Sequence, residues 1–173
     1  LFYGNAIAES EGRDFRLNQL FEQLKKSNNV SIALEIEMKI WNIWSTHPTR
    51  KKLTQSLAKG SDLMSKEELE SAYKIFSTII NSDPDWAEGW NKRATVLYLL
   101  GRYQQSQKDI DEVLKLEKRH FGALSGQALV QIKLKNYEKA INSYKAAQKI
   151  YPSIKAAEIM IPQLQELINN ETI

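Results

Sequence analysis

The chain has 173 residues, 42% hydrophobic and 26% charged, with a net charge of +3, the composition of an ordinary globular protein. It has no cysteine, and its only histidines, His47 and His120, stand far apart without ligand spacing. Disulfides, thiolate catalysis and a structural zinc site are thereby excluded. The charge is too small, and its longest basic run ("TRKK", residues 49–52) too short, to imply a nucleic-acid partner; no run of about 18 apolar residues is present to span a membrane.

In chain order, residues 1–13 read as an N-terminal tail. Leu1 stands where a Met would open an unprocessed chain. Ala6-Ile7-Ala8 forms an A-x-A triplet between a mostly apolar stretch and polar "ESEGRD". This is the pattern of a signal-sequence remnant; a disordered end is the alternative. Residues 14–46 read as a divergent helical hairpin. "FRLNQLFEQLKK" and "VSIALEIEMKIWNIW" are separated by Ser27-Asn28-Asn29, and Phe21, Leu24, Ile36, Ile40, Trp41 and Trp44 supply the packing face. This hairpin is expected to cap the near end of the downstream helices, joined to them by "STHPTRKK".

From residue 53 the sequence repeats itself every 34 residues. Ala72, Ser106 and Ala140 are small; Phe76, Ile110 and Tyr144 are large; Ile79, Val113 and Ala147 are apolar. Leu69, Tyr103 and Tyr137 keep the same interval, as do Gly60, Ala94 and Ala128. The spacing predicts helix hairpins over 53–86, 87–120 and 121–154. Small residues would let helices approach, and large ones such as Tyr103 and Ile110 would be buried between them. Gly101 suits a left-handed helix end, whereas Glu67 replaces that glycine in the first unit. Pro84 and Pro152 stop the second helices. Apolar positions Ile154, Ala157, Ile161, Leu164 and Ile168 predict a capping helix over 155–169, which Pro162 should kink or split.

No catalytic constellation appears. In "GALSG", residues 122–126, Ser125 is the fourth residue rather than the third of a nucleophile elbow, and no strand precedes it. Asp109 and Glu112 lie beside Lys108 and Lys115, as solvated helix pairs do. The chain is expected to be no enzyme and to hold no metal or cofactor.

These residues resemble the tetratricopeptide (TPR) repeat. The closest unit carries Trp90, Ala94, Leu97, Gly101, Tyr103, Ser106, Ile110 and Val113 at the family's signature places. The resemblance implies an all-α, right-handed superhelix of helix hairpins that binds a protein or peptide in its concave groove. A permanent structural subunit of a larger, possibly organellar, assembly is the alternative. In the subunit case Trp41, Trp44 and Trp86 would be exposed.

Family precedent places Leu57, Ser61 and Met64 of the first unit along that groove. Glu88, Asn91, Lys92, Thr95, Tyr98 and Leu99 come from the second unit, and Ser125, Leu129, Ile132 and Lys133 from the third. At the seventh place of each unit, usually a packed leucine, stand Lys59, Arg93 and Gln127. Arg93 either joins a polar ladder with Asp109 or Glu112, or reaches an acidic ligand. The carboxylate clamp that holds chaperone tails is not expected, because its places are taken by Leu57, Ser61, Lys92, Gly122 and Gly126. "IWNIW", "DPDWAEGWNKRAT" and "RHFGALSG" resemble small bacterial-type TPR proteins that often carry an export signal. That resemblance implies a periplasmic or exported protein, or an organellar one such as a mitochondrial protein after presequence removal.

Overall fold

A computed structural model describes residues 2–171. Among the described residues the chain is helical throughout, without strands. Its elements are α1 (Phe2–Lys26), α2 (Val30–Ser45), α3 (Lys51–Ser65), α4 (Leu69–Ser82), α5 (Ala87–Leu99), α6 (Tyr103–Leu116), α7 (Phe121–Lys133), α8 (Tyr137–Ile150) and α9 (Lys155–Glu171). The second helices α4, α6 and α8 begin at the same 34-residue interval that the sequence carries, as do α5 and α7.

Local chemistry sets the boundaries. The Asn29 side chain accepts from the Ile32 amide and caps α2. Helices α4 and α8 stop two residues short of Pro84 and Pro152. Each tight turn inside a pair contains one left-handed residue: Glu67 (φ 61°), Gly101 (φ 73°) and Lys135 (φ 60°). The turns close identically, with the amides of Glu68, Arg102 and Asn136 donating to the carbonyls of Leu63, Leu97 and Gln131 at 2.8–2.9 Å. This closure requires a positive φ whatever the side chain, so Glu67 and Lys135 adopt a conformation that only glycine takes without strain.

Within the pairs, the periodic residues are inside. Ala72, Phe76 and Ile79 of α4 are buried, as are Ile110 and Val113 of α6 and Ala140, Tyr144 and Ala147 of α8. The α3–α4 approach depends on a missing side chain, since a Cβ on Gly60 would stand 2.5 Å from the Phe76 ring. Tyr103 differs from expectation. It is only half-buried and leans against Tyr98 with ring centroids 5.6 Å apart, because it opens α6 at the edge of the hairpin. Helix α9 closes the far end against α8 through Ile154, Ala157 and Leu164. It passes through Pro162 as one helix rather than splitting.

The near end departs most from expectation. Residues 1–13 were expected as a tail, yet α1 begins at Phe2 and carries the Ala6–Ala8 triplet; the side chains of that stretch lie outside the described residues. The α1–α2 hairpin does not sit at the array's edge as a cap. It turns inward, with α1 against α8 and α2 against α5. Leu17, Phe21, Leu24, Ala33, Ile36, Ile40 and Trp44 share one core with residues of α7, α8 and α9. A second core lies around α3 and α4, and a third between α5, α6 and α7.

Candidate functional site

The concave surface is built from α3, α5 and α7, and its chemistry starts at two similar corners. His120 precedes α7, and its Nδ1 accepts from the Ala123 amide at 3.0 Å. That bond leaves the ring proton on Nε2, which donates to Glu88 Oε2 at 3.2 Å. His47 precedes α3, and its Nδ1 accepts from the amides of Thr49 and Arg50 while Nε2 donates to Asp83 at 2.7 Å. His120 thus caps α7, whereas His47 closes the turn ahead of α3, and each ties its bond to a carboxylate elsewhere in the array, Glu88 of α5 and Asp83 at the end of α4.

The two corners are joined through tryptophan. Trp44 stacks on His120 at 4.0 Å with an interplanar angle of 8°, and Trp86 packs edge-on to His47 at 5.0 Å. Between them, Trp86 Nε1 donates to the Trp44 carbonyl at 3.0 Å. Sequence reasoning found no role for either histidine. The available signal was their position: each stands just ahead of a helix start, after a turn.

A carboxylate as deeply buried as Glu88, 1% exposed, needs partners to offset its desolvation. It has them in Asn91 Nδ2, at 3.2 and 3.3 Å from its two oxygens, His120 Nε2, and Lys92 Nζ at 3.6 Å. Asp83 is also perturbed. Burial would raise its pKa, but hydrogen bonds from His47, Arg50 and the Asp85 amide outweigh that and hold it below the ordinary value. Glu117 behaves likewise. Burial works to raise it, and the bidentate Arg119 guanidinium lowers it. The same Arg119 pins α1, donating to Asn18 Oδ1 at 2.7 Å and covering the Phe21 ring at 4.4 Å.

Helix α2 fills part of the concave surface. Trp41 stands edge-on to His120 and Phe121, with Lys92 Nζ 6.0 Å above its ring. A Cβ on Gly122 would meet Trp41 Cη2 at 2.5 Å, so this glycine is what admits the indole. Tyr151 closes the contact from the array side. Burial and the negative charge of nearby Glu37 of α2 push its phenol up to about 12.

The expected groove residues therefore divide. Leu57, Glu88 and Asn91 are corrections: all three are buried, Leu57 in the α3–α4 core and the other two in the His120 network. Lys92 is half-buried, held by Glu88 and Trp41. Ser61, Met64, Tyr98, Ser125 and Ile132 are half-buried, and Thr95, Leu99, Leu129 and Lys133 are exposed. Thr95, Tyr98, Gly126 and Leu129 come together around a shallow depression of about 60 Å³ whose floor includes Ile110 and Ala123. Leu99 and Leu129, 52% and 39% exposed, flank this open half. Sequence reasoning missed Leu34 and Met38 of α2, which share the Trp41 face of their helix and are exposed. Their signal was a second apolar stripe at i, i+4 beside the buried one.

Arg93 belongs to a ladder. Its Nε and Nη2 donate to the two oxygens of Asp109 at 2.7 and 2.9 Å, and Nη1 donates to Ser77 at 3.3 Å. The hydrogen bond to Asp109 raises its pKa further. Glu112 pairs with Lys115 instead. One repeat later, Ser143 donates to Gln127 at 2.9 Å, the neutral version of the same contact. Lys59, at the equivalent place in the first unit, is exposed.

A 34-residue succession of antiparallel helix pairs, with first helices lining one concave face, defines a class of helical-repeat protein. Comparison with known proteins gives the class its name. The family model for the tetratricopeptide repeat matches residues 123–154. A TPR repeat-containing protein of Rhizobium etli is 36% identical over 162 residues, covering 91% of this chain and 77% of that protein. The chain belongs to the tetratricopeptide repeat family.

Among solved structures, the first TPR of Spaghetti (RPAP3) bound to an HSP90 peptide superposes with a TM-score of 0.66 at 16% identity. The match covers 69% of this chain and 94% of that one. The TPR2B domain of yeast Sti1 in its pHsp70 complex gives 0.62 at 22% identity, covering 70% and 99%. At these identities the likeness is one of fold.

Proposed function

We propose that the protein is a non-catalytic interaction module that holds an extended segment or helix of a partner protein in the open half of its concave surface. The observation that carries this reading is the exposed Leu129 on the rim of the depression, with the exposed Leu99 one turn beyond Thr95 on α5. A shallow apolar cleft with exposed leucines at its side suits a short linear segment. Among domains that share the fold, that of RPAP3 is bound to an HSP90 peptide and that of Sti1 is in a pHsp70 complex.

This protein is proposed to select a different ligand. Trp41 stands over Lys92 and against Gly122, two of the places where a carboxylate clamp would need free basic or amide side chains. The subunit reading draws no support from its tryptophans, since Trp44 and Trp86 are buried within the chain. We further propose a periplasmic or exported protein, or an organellar one. The support is the Ala6–Ala8 triplet and the bacterial relative, and cell fractionation tests it.

The test of the groove compares wild type with a Leu99→Arg/Leu129→Arg double variant. Partners recovered from a gentle extract of the source by the wild type, and identified by mass spectrometry, are expected to be lost by the variant at unchanged helicity. Retention of every partner would place binding elsewhere. An endogenous protein found only in a large salt-resistant complex, while the recombinant chain runs at 19.9 kDa, would favour the permanent subunit.

A further inference from the structure

The inward turn of the N-terminal hairpin leaves its opposite side uncovered. Along the outer seam between α1 and α2 run three cavities of about 510, 320 and 520 Å³. They form one trough, because adjacent cavities share lining: Arg16, Asn42 and Ile43 join the first two, and Gln23 joins the second and third. The floor is apolar, made by Leu20 of α1 and by Ile36 and Ile43 of α2, with Ile32 exposed at one end. From Gly12 to Lys26 the trough follows α1 for about 21 Å at 1.5 Å per residue, the length of a four-turn helix.

The charged side chains that line this floor are basic, although Asp14 and Glu117 lie near Arg13. Arg13, Arg16, Lys26 and Lys39 are the charged residues among the described lining, and none of that lining is acidic. Lys26 pairs loosely with the exposed Glu22 at 3.7 Å, while Lys39 has no ion pair among the described residues. Arg16 spends its Nε on the carbonyl of Gly12 in its own helix. Arg13 donates Nη2 to the Ile43 carbonyl at 2.9 Å, yet its Nε is buried without an acceptor.

We propose that the α1–α2 outer seam is a docking site for an amphipathic helix of a partner protein, whose apolar spine would lie on Leu20, Ile32 and Ile43 and whose acidic flanks would face Arg16 and Lys39. Two antiparallel helices with a groove between them present the ridges against which a third helix packs. The charge pattern argues against a second copy of this chain, because a two-fold contact through the seam would set these cations against themselves. It argues against nucleic acid as well, since the centre of the trough is apolar. This site is separate from the concave half that the proposed function uses.

The probe is a helix-stapled peptide of about 16 residues with leucines at i, i+3, i+4 and i+7 spacing and glutamates elsewhere. It is tested beside a twin carrying lysine for every glutamate. By fluorescence anisotropy the acidic peptide is expected to bind and the basic twin is not. Affinity should fall about ten-fold or more in Arg16→Glu/Lys39→Glu and on raising salt from about 50 to about 300 mM. Both residues are exposed, so helicity checked by circular dichroism should be unchanged. The Leu99→Arg/Leu129→Arg variant should bind the acidic peptide like wild type, which separates this site from the groove. Equal binding of the two peptides, unchanged affinity in Arg16→Glu/Lys39→Glu, or loss in the groove variant overturns the proposal. So does failure of the acidic peptide to bind, including the case in which vesicles of phosphatidylglycerol and phosphatidylcholine bind instead.

Discussion

The two terminal segments of this molecule pack against the array in opposite ways. A stack of helix pairs leaves an apolar face at each end. At the far end, α9 covers α8 by continuing the direction of the stack, with Leu164 and Ala157 buried beneath it. At the near end, α1 and α2 fold back into the concave face and reach α5, α7 and α8. The difference lies in what each segment carries. Helix α9 offers a narrow aliphatic stripe, which a flat helix surface accepts. Helix α2 offers two indoles, and both pack against the rings of His120 and Phe121.

The comparison is broken most directly at Trp44. Its ring is buried among Phe21, His120 and Phe121, so Trp44→Ala is expected to cost roughly 3–5 kcal/mol in urea denaturation. Leu164→Ala, in the end cap, should cost about 2–4 kcal/mol. A near-neutral Trp44→Ala would mean that the hairpin is not docked in the groove.

Gly122→Ala is a gentler probe of the same contact. The added methyl would sit 2.5 Å from Trp41, and overpacking of this kind costs about 1–3 kcal/mol. In a Trp41→Ala background the penalty should vanish, and alanine should instead stabilise α7 by up to about 1 kcal/mol. Additive effects of the two substitutions would separate Gly122 from Trp41.

The near end should also respond to alkali. The Tyr151 phenol is raised from 10.0 to about 12 by burial and by Glu37, so the folded state favours the protonated form. That contribution is fully present below pH 10 and is lost as the pH rises toward the folded value near 12. Stability measured across this window should fall in the wild type and fall less in Tyr151→Phe. Equal slopes would show that the phenol does not couple α2 to the array.

The smallest effect belongs to the array alone. Lys135→Gly relieves a side chain at φ 60° and should stabilise by roughly 0.5–1 kcal/mol. The gain should be the same with or without Gly122→Ala. A dependence on Gly122 would show that the array turns sense the hairpin.

Much of the array was legible because its information is local and periodic. Ala72, Phe76 and Ile79 reappear as Ser106, Ile110 and Val113 and again as Ala140, Tyr144 and Ala147, and all of these are buried. The candidate groove was less legible. The repeat pattern places Glu88 and Asn91 on the inner face of α5 but cannot say what lies over that face. There, the identity of a neighbour decides whether a polar residue meets solvent or a buried histidine. Tyr103 shows the same limit on a small scale: the pattern marks it as large, while its place at the helix start leaves it half-exposed.

The amino-acid sequence by itself determined the helices, their 34-residue register, the turns near Gly101, and the stops before Pro84 and Pro152. These depend on backbone sterics and on the spacing of apolar side chains within a few turns. Only the tertiary structure decided that the N-terminal hairpin enters the groove, that the two lone histidines are bound to Glu88 and Asp83, and that part of the expected binding face is buried. The physical reason is range. Trp41 meets Gly122 and Trp44 meets His120 across more than seventy residues of chain, and no period in the sequence records that meeting.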